Sequence, residues 1–312
     1  MPNVQVLIAP QELLIIGAAV KTGIIEQLAG KPMTADELAV EIGADSRAVW
    51  VVTEALEALG YLSKDENKLR LSEEAVNMLY NTESPNYTGF SFMHRYNVTN
   101  SWIHLPEVIR SGQPFPRETG QENTKYFMAA MSHSARENAL TVAGFCLAGS
   151  GETPKVLDIG GGPLAYARAF AAIGAKVTVQ DLPNVVEYMS TFLNENENIE
   201  MYAGDFNVGL SPGPFDLAFL GNICHIFGER ENRELFKKVA AVLKTDGRII
   251  IVDFVRGTNP MAAVFGVNML VNTKNGGTWT FAEYAEWLGE AGFSRPELNS
   301  VGGRQILSAR KR

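Results

Sequence analysis

Two hydrophobic rhythms divide the chain. From Gln11 to about Leu79, apolar residues recur mainly at three and four residue spacing, the period of a helix with one buried face. QELLIIGAAVKTGIIEQLA predicts a first helix. MTADELAVEIG predicts a second, opened by a Thr34–Glu37 capping box and stopped at Gly43. DSRAVWVVTEALEALG predicts a third, ending at Gly60. YLSKDENKLRLSEEAVNML then alternates, breaks at Asp65-Glu66-Asn67, alternates again and returns to helix, the outline of a winged helix-turn-helix. Residues 81–150 hold no strand-like alternation and many large side chains, and predict helical core.

After Lys155 the period shortens. KVLDI, KVTVQD, IEMYAG, FDLAFLGN and RIIIVDFV are strand-length apolar runs, separated by helical segments near Ala165–Ile173, Asn184–Leu193 and Glu229–Leu243. A helix from Thr280 to Ala291 and two further short strands follow. Short apolar runs alternating with helices imply a mostly parallel sheet covered on both faces, a doubly wound α/β fold. The expected organisation is an N-terminal winged-helix domain over residues 1–85, a helical pocket-forming region over 86–150 and an α/β domain over 151–312.

Charge narrows the partners. The net charge of -8 over 312 residues argues against a sequence-independent grip on nucleic acid or on an anionic membrane, which both use surplus Lys and Arg. Between Met1 and Tyr80 twelve acidic side chains face six basic ones, and the third helix carries Asp45, Glu54 and Glu57 near a single Arg47. A dimerisation domain fits that surface better than a DNA reader does. Cys146 and Cys224 stand far apart without zinc-ligand spacing, so neither a disulfide framework nor a metal is indicated, and a reducing, cytoplasmic setting fits. The N-terminal stretch lacks a basic n-region and contains Pro10 and Glu12; it reads as an apolar segment suited to pack on a partner subunit, not as a signal peptide.

The candidate chemistry lies at the strand ends. Gly160, Gly161 and Gly162 follow a buried strand and precede a helix, where a glycine run lets the backbone approach a ligand. With Ala165 the run also satisfies the nicotinamide-dinucleotide pattern, so that cofactor stays open. Asp158 sits beside the loop, where a pyrophosphate at about 4 to 6 Å would be repelled by a kcal/mol or more. S-adenosylmethionine carries an ammonium and a sulfonium and no phosphate, so the same acid attracts it. Asp181 ends the second strand, placed to accept from ribose hydroxyls. Asp205 follows the third, placed to accept from an adenine amino group, with Phe206 available for the ring.

KVLDIGGGPLAYARAF, VTVQDLPNVVE, AGDFN and GNICHIFGERENRELFKKVAAVLKTDGRIIIVDF, in that order and spacing, resemble the S-adenosylmethionine-dependent O-methyltransferases of the caffeate and hydroxyindole type and their bacterial relatives. The resemblance covers nearly the whole chain. It implies a class I, Rossmann-like catalytic domain, a homodimer formed through the N-terminal domain, and a small-molecule acceptor. It also implies that Asp158, Gly160, Gly162, Asp181, Leu182, Asp205, Phe206 and Asn222 hold the cofactor, that His225 is the general base and that Asp253 flanks it. Phe90, Met93, Tyr96, Trp102, Tyr126, Met131, Phe265 and Met269 are the candidate acceptor walls, residue types that equally suit a core.

Two departures stand out. Leu164 occupies a position that is usually glycine in this family, which narrows the space beside the methionine moiety or shifts the loop outward. NGGTWTFAEYAEW lacks the second acid that plant members carry after the paired glycines; Thr278 and Trp279 stand there. The alternatives are a C-methyltransferase or cofactor-binding relative without O-methylation, an NAD(P)-dependent oxidoreductase, and a ligand-binding winged-helix regulator.

Overall fold

The computed structural model describes residues 10–116 and 120–312; the apolar segment at residues 1–9, expected to meet a partner, lies outside the described residues. The chain divides into two units. One is Met1–Asn100 with Lys125–Ala130, and the other is Ser101–Thr124 with Met131–Arg312.

In the first unit the expected first helix is two. α1 (Gln11–Lys21) and α2 (Ile24–Gly30) are bent by 65° across Gly23, whose φ of 83° is a left-handed conformation that glycine adopts without a Cβ penalty. The bend turns Ile16, Ala19, Ile24, Ile25 and Leu28 into one core, which an unbroken helix of this pattern would splay. α3 (Ala35–Glu41) opens with the Thr34–Glu37 capping box, and α4 (Ser46–Ala58) is capped by the Asp45 carboxylate, which accepts from the Ala48 N–H at 2.8 Å. β1 (Leu62–Asp65) and β2 (Lys68–Leu71) form a hairpin whose Leu62, Leu69 and Leu71 join the same core. α5 (Glu73–Ala75) runs into a π-helical turn, Val76–Tyr80. The segment expected to be helical is helical: α6 (Gly89–Trp102), α7 (Leu105–Ser111), α8 (Gln121–Arg136) and α9 (Ala139–Leu147). Gly17 has a structural purpose, because a Cβ there would lie 2.0 Å from the Tyr96 ring. Among the described residues no single helix is long and apolar enough to cross a membrane.

The second unit is built on a seven-stranded sheet. Its strands are β3 (Lys155–Ile159), β4 (Lys176–Asp181), β5 (Ile199–Ala203), β6 (Phe215–Gly221), β7 (Leu243–Val252), β10 (Glu297–Val301) and β11 (Arg304–Arg310), in the spatial order β10-β11-β7-β6-β3-β4-β5. The five strands from β3 to β7 run parallel, and β10 and β11 form an antiparallel hairpin on the β7 edge. α10 (Ala165–Ala172), α11 (Pro183–Ser190) and α12 (Glu229–Val242) connect them. A short parallel pair, β8 (Val255–Arg256) with β9 (Trp279–Thr280), brackets α13 (Pro260–Asn272), and α14 (Phe281–Glu290) carries a second capping box at Thr280–Glu283. β3 has β4 on one side and β6 on the other, so the chain reverses its direction of winding at β3. Ligands of open α/β sheets lie outside the carboxyl ends of the strands at such a switch point.

Candidate active site

Five strand ends place the acids in a row. Reading along the carboxyl edge from β5 to β7, the sheet order sets Asp205, Asp181, the glycine loop with Asp158, the turn carrying His225, and Asp253 next to one another. Neighbouring strands are about 4.8 Å apart, so residues distant in sequence become adjacent.

The glycine loop closes onto two carboxylates. Gly160 has φ 69° and donates its N–H to the Gln180 carbonyl at 2.8 Å; a Cβ there would lie 2.2 Å from Ile223. Gly161 covers Asp158 so closely that a Cβ would lie 2.3 Å from its carboxyl group. Gly162 donates its N–H to Asp181 Oδ2 at 2.9 Å, and Leu182 N–H donates to Asp181 Oδ1 at 2.8 Å. Each Asp181 oxygen therefore has one lone pair engaged by backbone and one left. Asp158 is buried, its Oδ2 has no hydrogen-bond partner, and the same is true of the nearby Tyr166 hydroxyl. Burial first, then the charge of Asp181, pushes the Asp158 carboxyl up to about 8; burial also raises Asp181, against the two backbone N–H groups.

Leu164 is accommodated inside the loop. It takes the left-handed conformation itself (φ 63°) and its side chain is 1% exposed, so packing holds a backbone geometry that glycine adopts more readily. Leu182 is 45% exposed at the end of β4. Asp205 Oδ1 accepts from the Asn207 N–H at 2.8 Å, a local turn that leaves its other oxygen without a partner inside that turn. Phe206 is buried, edge-on to Phe227 at 5.6 Å. Asn222 follows β6 with φ 60° and donates its N–H to the Val252 carbonyl at 2.8 Å.

His225 sits beyond the strand end, in a 3-10 turn (Cys224–Ile226). Its Nδ1 is 2.7 Å from Asp253 Oδ1, and its backbone N–H donates to Asp253 Oδ2 at 3.1 Å. A carboxylate has only acceptor capacity, so Nδ1 carries the proton and Nε2 presents a lone pair. Phe265 meets the imidazole edge-on at 4.9 Å and stacks on Phe254 at 4.0 Å, an apolar wall beside the ring.

Residues 107–294 match the O-methyltransferase domain family. The chain belongs to this O-methyltransferase family. The tetracenomycin polyketide synthesis 8-O-methyl transferase TcmO of Streptomyces glaucescens is 26% identical, over 93% of this chain and 90% of that protein. The 3-hydroxy-5-methyl-1-naphthoate 3-O-methyltransferase of Streptomyces sahachiroi is also 26% identical, over 91% and 89%. The crystal structure of human N-acetylserotonin methyltransferase in complex with S-adenosylmethionine superposes with a TM-score of 0.71 at 23% identity, covering 96% of this chain and 94% of that one, and so shares the fold. Family membership decides for a methyltransferase over the nicotinamide-dependent oxidoreductase. The methyl donor of this methyltransferase is S-adenosylmethionine.

The residues of the methyltransferase fit that donor. The loop from Asp158 to Leu164 contains no Lys or Arg, Gly160 and Gly161 leave no room for a Cβ, and a buried carboxylate oxygen lies unpartnered beneath it. Such a set suits a cationic ligand without phosphate.

The eight acceptor-wall residues divide evenly. Phe90, Met93, Tyr96 and Tyr126 belong to the first unit, where the Phe90 and Tyr126 rings lie 5.6 Å apart and Met93 is buried. Trp102, Met131, Phe265 and Met269 belong to the second, where Trp102 Nε1 donates to Asn268 Oδ1 at 2.9 Å and Met269 is buried.

Several supporting residues escape a reading of sequence. The Asn232 amide, fully buried on α12, donates to the carbonyls of Cys224, Phe227 and Gly228 and so holds the His225 turn from below. Trp279 Nε1 donates to the Cys224 carbonyl at 3.1 Å. Gly277 N–H donates to the His225 carbonyl at 2.9 Å, and a Cβ on Gly276 would lie 2.4 Å from that same oxygen. The paired glycines thus serve a close backbone approach to the turn. The available signal was a polar residue inside an apolar helical face at Asn232.

Proposed function

We propose that the enzyme transfers methyl to a hydroxyl of a small, fused aromatic acceptor, with His225 as general base. The observation that carries the reading is the order along the sheet edge. Asp205 and Phe206 would receive the adenine, Asp181 and Leu182 the ribose, and the glycine loop with Asp158 and Asn222 the methionine part; His225 and Asp253 follow at the next two strand ends.

When bound, S-adenosylmethionine supplies an electrophilic methyl on a sulfonium. His225 Nε2 accepts the proton of the acceptor hydroxyl, because a phenol becomes a competent nucleophile only as that proton leaves. Asp253 holds the imidazole in the required tautomer and stabilises the cation that forms. Phe254 and Phe265 keep water from the nitrogen and offer flat apolar surface to a ring. The acceptor class is supported by the two Streptomyces relatives, whose names describe O-methylation of a polyketide and of a hydroxynaphthoate.

The N-terminal unit exposes Trp50 and Val51 on α4, Leu59 just beyond it and Val40 on α3, apolar side chains that suit pairing with a second copy. Sedimentation analysis reads that directly.

The test of the enzymatic reading is two measurements on one preparation. Calorimetry should give binding of S-adenosylhomocysteine, and mass spectrometry should find a single 14 Da gain on hydroxynaphthoates that is absent from their O-methyl ethers. Binding without methylation of any hydroxyarene would remove the acceptor class and leave the donor site.

A further inference from the structure

We propose that Gln180 is a positioning residue of the donor site, holding the loop that carries Asp205 and Phe206 against the strand that carries Asp181. The inference rests on the reading that Asp205 and Phe206 receive the adenine.

Gln180 is the one uncharged amide in the KVTVQD strand and is 0% exposed. A buried amide costs stability unless it is hydrogen-bonded. Here it is used almost to capacity: Oε1 accepts from the Ser211 N–H at 2.8 Å, while Nε2 donates to the Gly209 carbonyl at 2.7 Å and the Gly204 carbonyl at 3.3 Å. Its main-chain carbonyl accepts the Gly160 N–H. One residue therefore ties the glycine loop to both ends of the segment from Gly204 to Ser211.

That segment needs the tie. It leaves β5, the outermost strand on its side of the sheet, which pairs with β4 alone. Val208 at its tip is 84% exposed, and Phe206 is its one buried apolar side chain. The remaining polar contacts of the tip are local ones from the Asn207, Val208 and Gly209 N–H groups to Asp205, and one from the Lys238 ammonium on α12 to the Asn207 carbonyl. These turns, the Lys238 contact and the packing of Phe206 and Leu210 shape the loop and hold it to α12 and the core, but none of their hydrogen bonds reaches β4. The Gln180 side chain, with the Gly204 N–H on the Asp181 carbonyl at 2.9 Å, provides that attachment. The spacing between the ribose acid and the adenine acid is then set by an amide that touches neither group of the ligand.

The experiment compares Gln180→Leu, Gln180→Glu and Asp205→Ala with the parent enzyme. Four readouts are taken: the dissociation constant of S-adenosylhomocysteine by calorimetry, the KM for a hydroxynaphthoate acceptor, the melting temperature, and hydrogen exchange of the amides at 209–211 in the ligand-free protein. Gln180→Leu should weaken S-adenosylhomocysteine roughly tenfold, speed exchange at 209–211 and leave the acceptor KM in place. Gln180→Glu keeps the acceptor for Ser211 and regains a donor when protonated, so its affinity should recover as pH falls; it also serves if the leucine variant does not fold. Unchanged affinity in both Gln180 variants, with affinity lost in Asp205→Ala, overturns the positioning role while the adenine reading stands. Unchanged affinity in all three overturns both. Parallel loss of donor affinity, acceptor affinity and melting temperature, without pH rescue in Gln180→Glu, reduces Gln180 to general scaffolding and also overturns the proposal.

Discussion

Asp253 grips His225 twice, accepting from the ring Nδ1 at 2.7 Å and from the backbone N–H at 3.1 Å, with the two residues 28 positions apart in the chain. The double contact fixes both the tautomer and the rotation of the imidazole. His225→Ala should lower kcat about 100-fold or more, the scale of a lost general base, with S-adenosylhomocysteine affinity nearly unchanged. Asp253→Asn should be comparably damaging: the Asp253 oxygens meet N–H donors from the His225 ring, His225 N and Phe254 N, and an amide nitrogen cannot accept from any of them. Steady-state rates beside calorimetric affinity separate these losses from failure to bind the donor.

The paired glycines predict a quieter lesion. In Gly276→Ala the new methyl would meet the His225 carbonyl at 2.4 Å and the Ile226 carbonyl at 2.8 Å, so the turn must move. A displacement near 1 Å can cost up to about 100-fold in rate. We expect kcat to fall while donor affinity holds; wild-type turnover would show that the turn tolerates the shift.

Asp181 ties the glycine loop to the end of β4, since its carboxylate receives the Gly162 and Leu182 N–H groups. Asp181→Ala should raise the dissociation constant for S-adenosylhomocysteine about tenfold or more, the equivalent of one charged hydrogen bond. An unchanged constant by calorimetry would remove Asp181 from the donor site.

Leu164→Gly sets two effects against each other. Relief of the left-handed conformation returns about 1–2 kcal/mol, whereas emptying a buried leucine site costs about 2–5 kcal/mol. The balance predicts a lower melting temperature. A higher one, with tighter S-adenosylhomocysteine binding, would mean that the side chain obstructs the loop more than it supports it.

The two raised carboxylates make stability depend on pH. A buried Asp whose folded-state pKa lies above its unfolded value keeps a proton that the unfolded chain has released, so stability falls as pH climbs from the ordinary carboxylate range to the raised value. For Asp158 that upper limit is about 8. Asp158→Asn, a neutral stand-in for the protonated acid, should melt increasingly above the parent as pH rises from about 5 to about 8. Parallel melting curves across that interval would place the proton elsewhere.

Much of this enzyme is local in origin and therefore legible in its residues. The Thr34–Glu37 box and the stops at Gly43 and Gly60 appear where the chain places them, since capping is a matter of adjacent residues. The apolar runs become β3 to β7 because each is a short buried strand followed by a helix that must return across the sheet. Position at a strand end likewise marks Asp158, Asp181 and Asp253. One local inference went too far: the first helical pattern continues through Gly23, but the left-handed backbone there breaks it so that both halves face one core.

Tertiary structure decided which polar atoms meet. Nothing in the spacing of Gln180, Gly209 and Ser211 announces a clamp, nor in that of Asn232 and Cys224, nor in that of Gly276 and His225. Leu164 looks anomalous in a glycine loop until its burial is known. Periodicity reports which face of an element is buried, whereas hydrogen bonding of a buried amide depends on groups that other elements bring within 3 Å. The sequence alone determined the layers and the strand-end acids; the sheet order decided that those ends lie side by side along one edge.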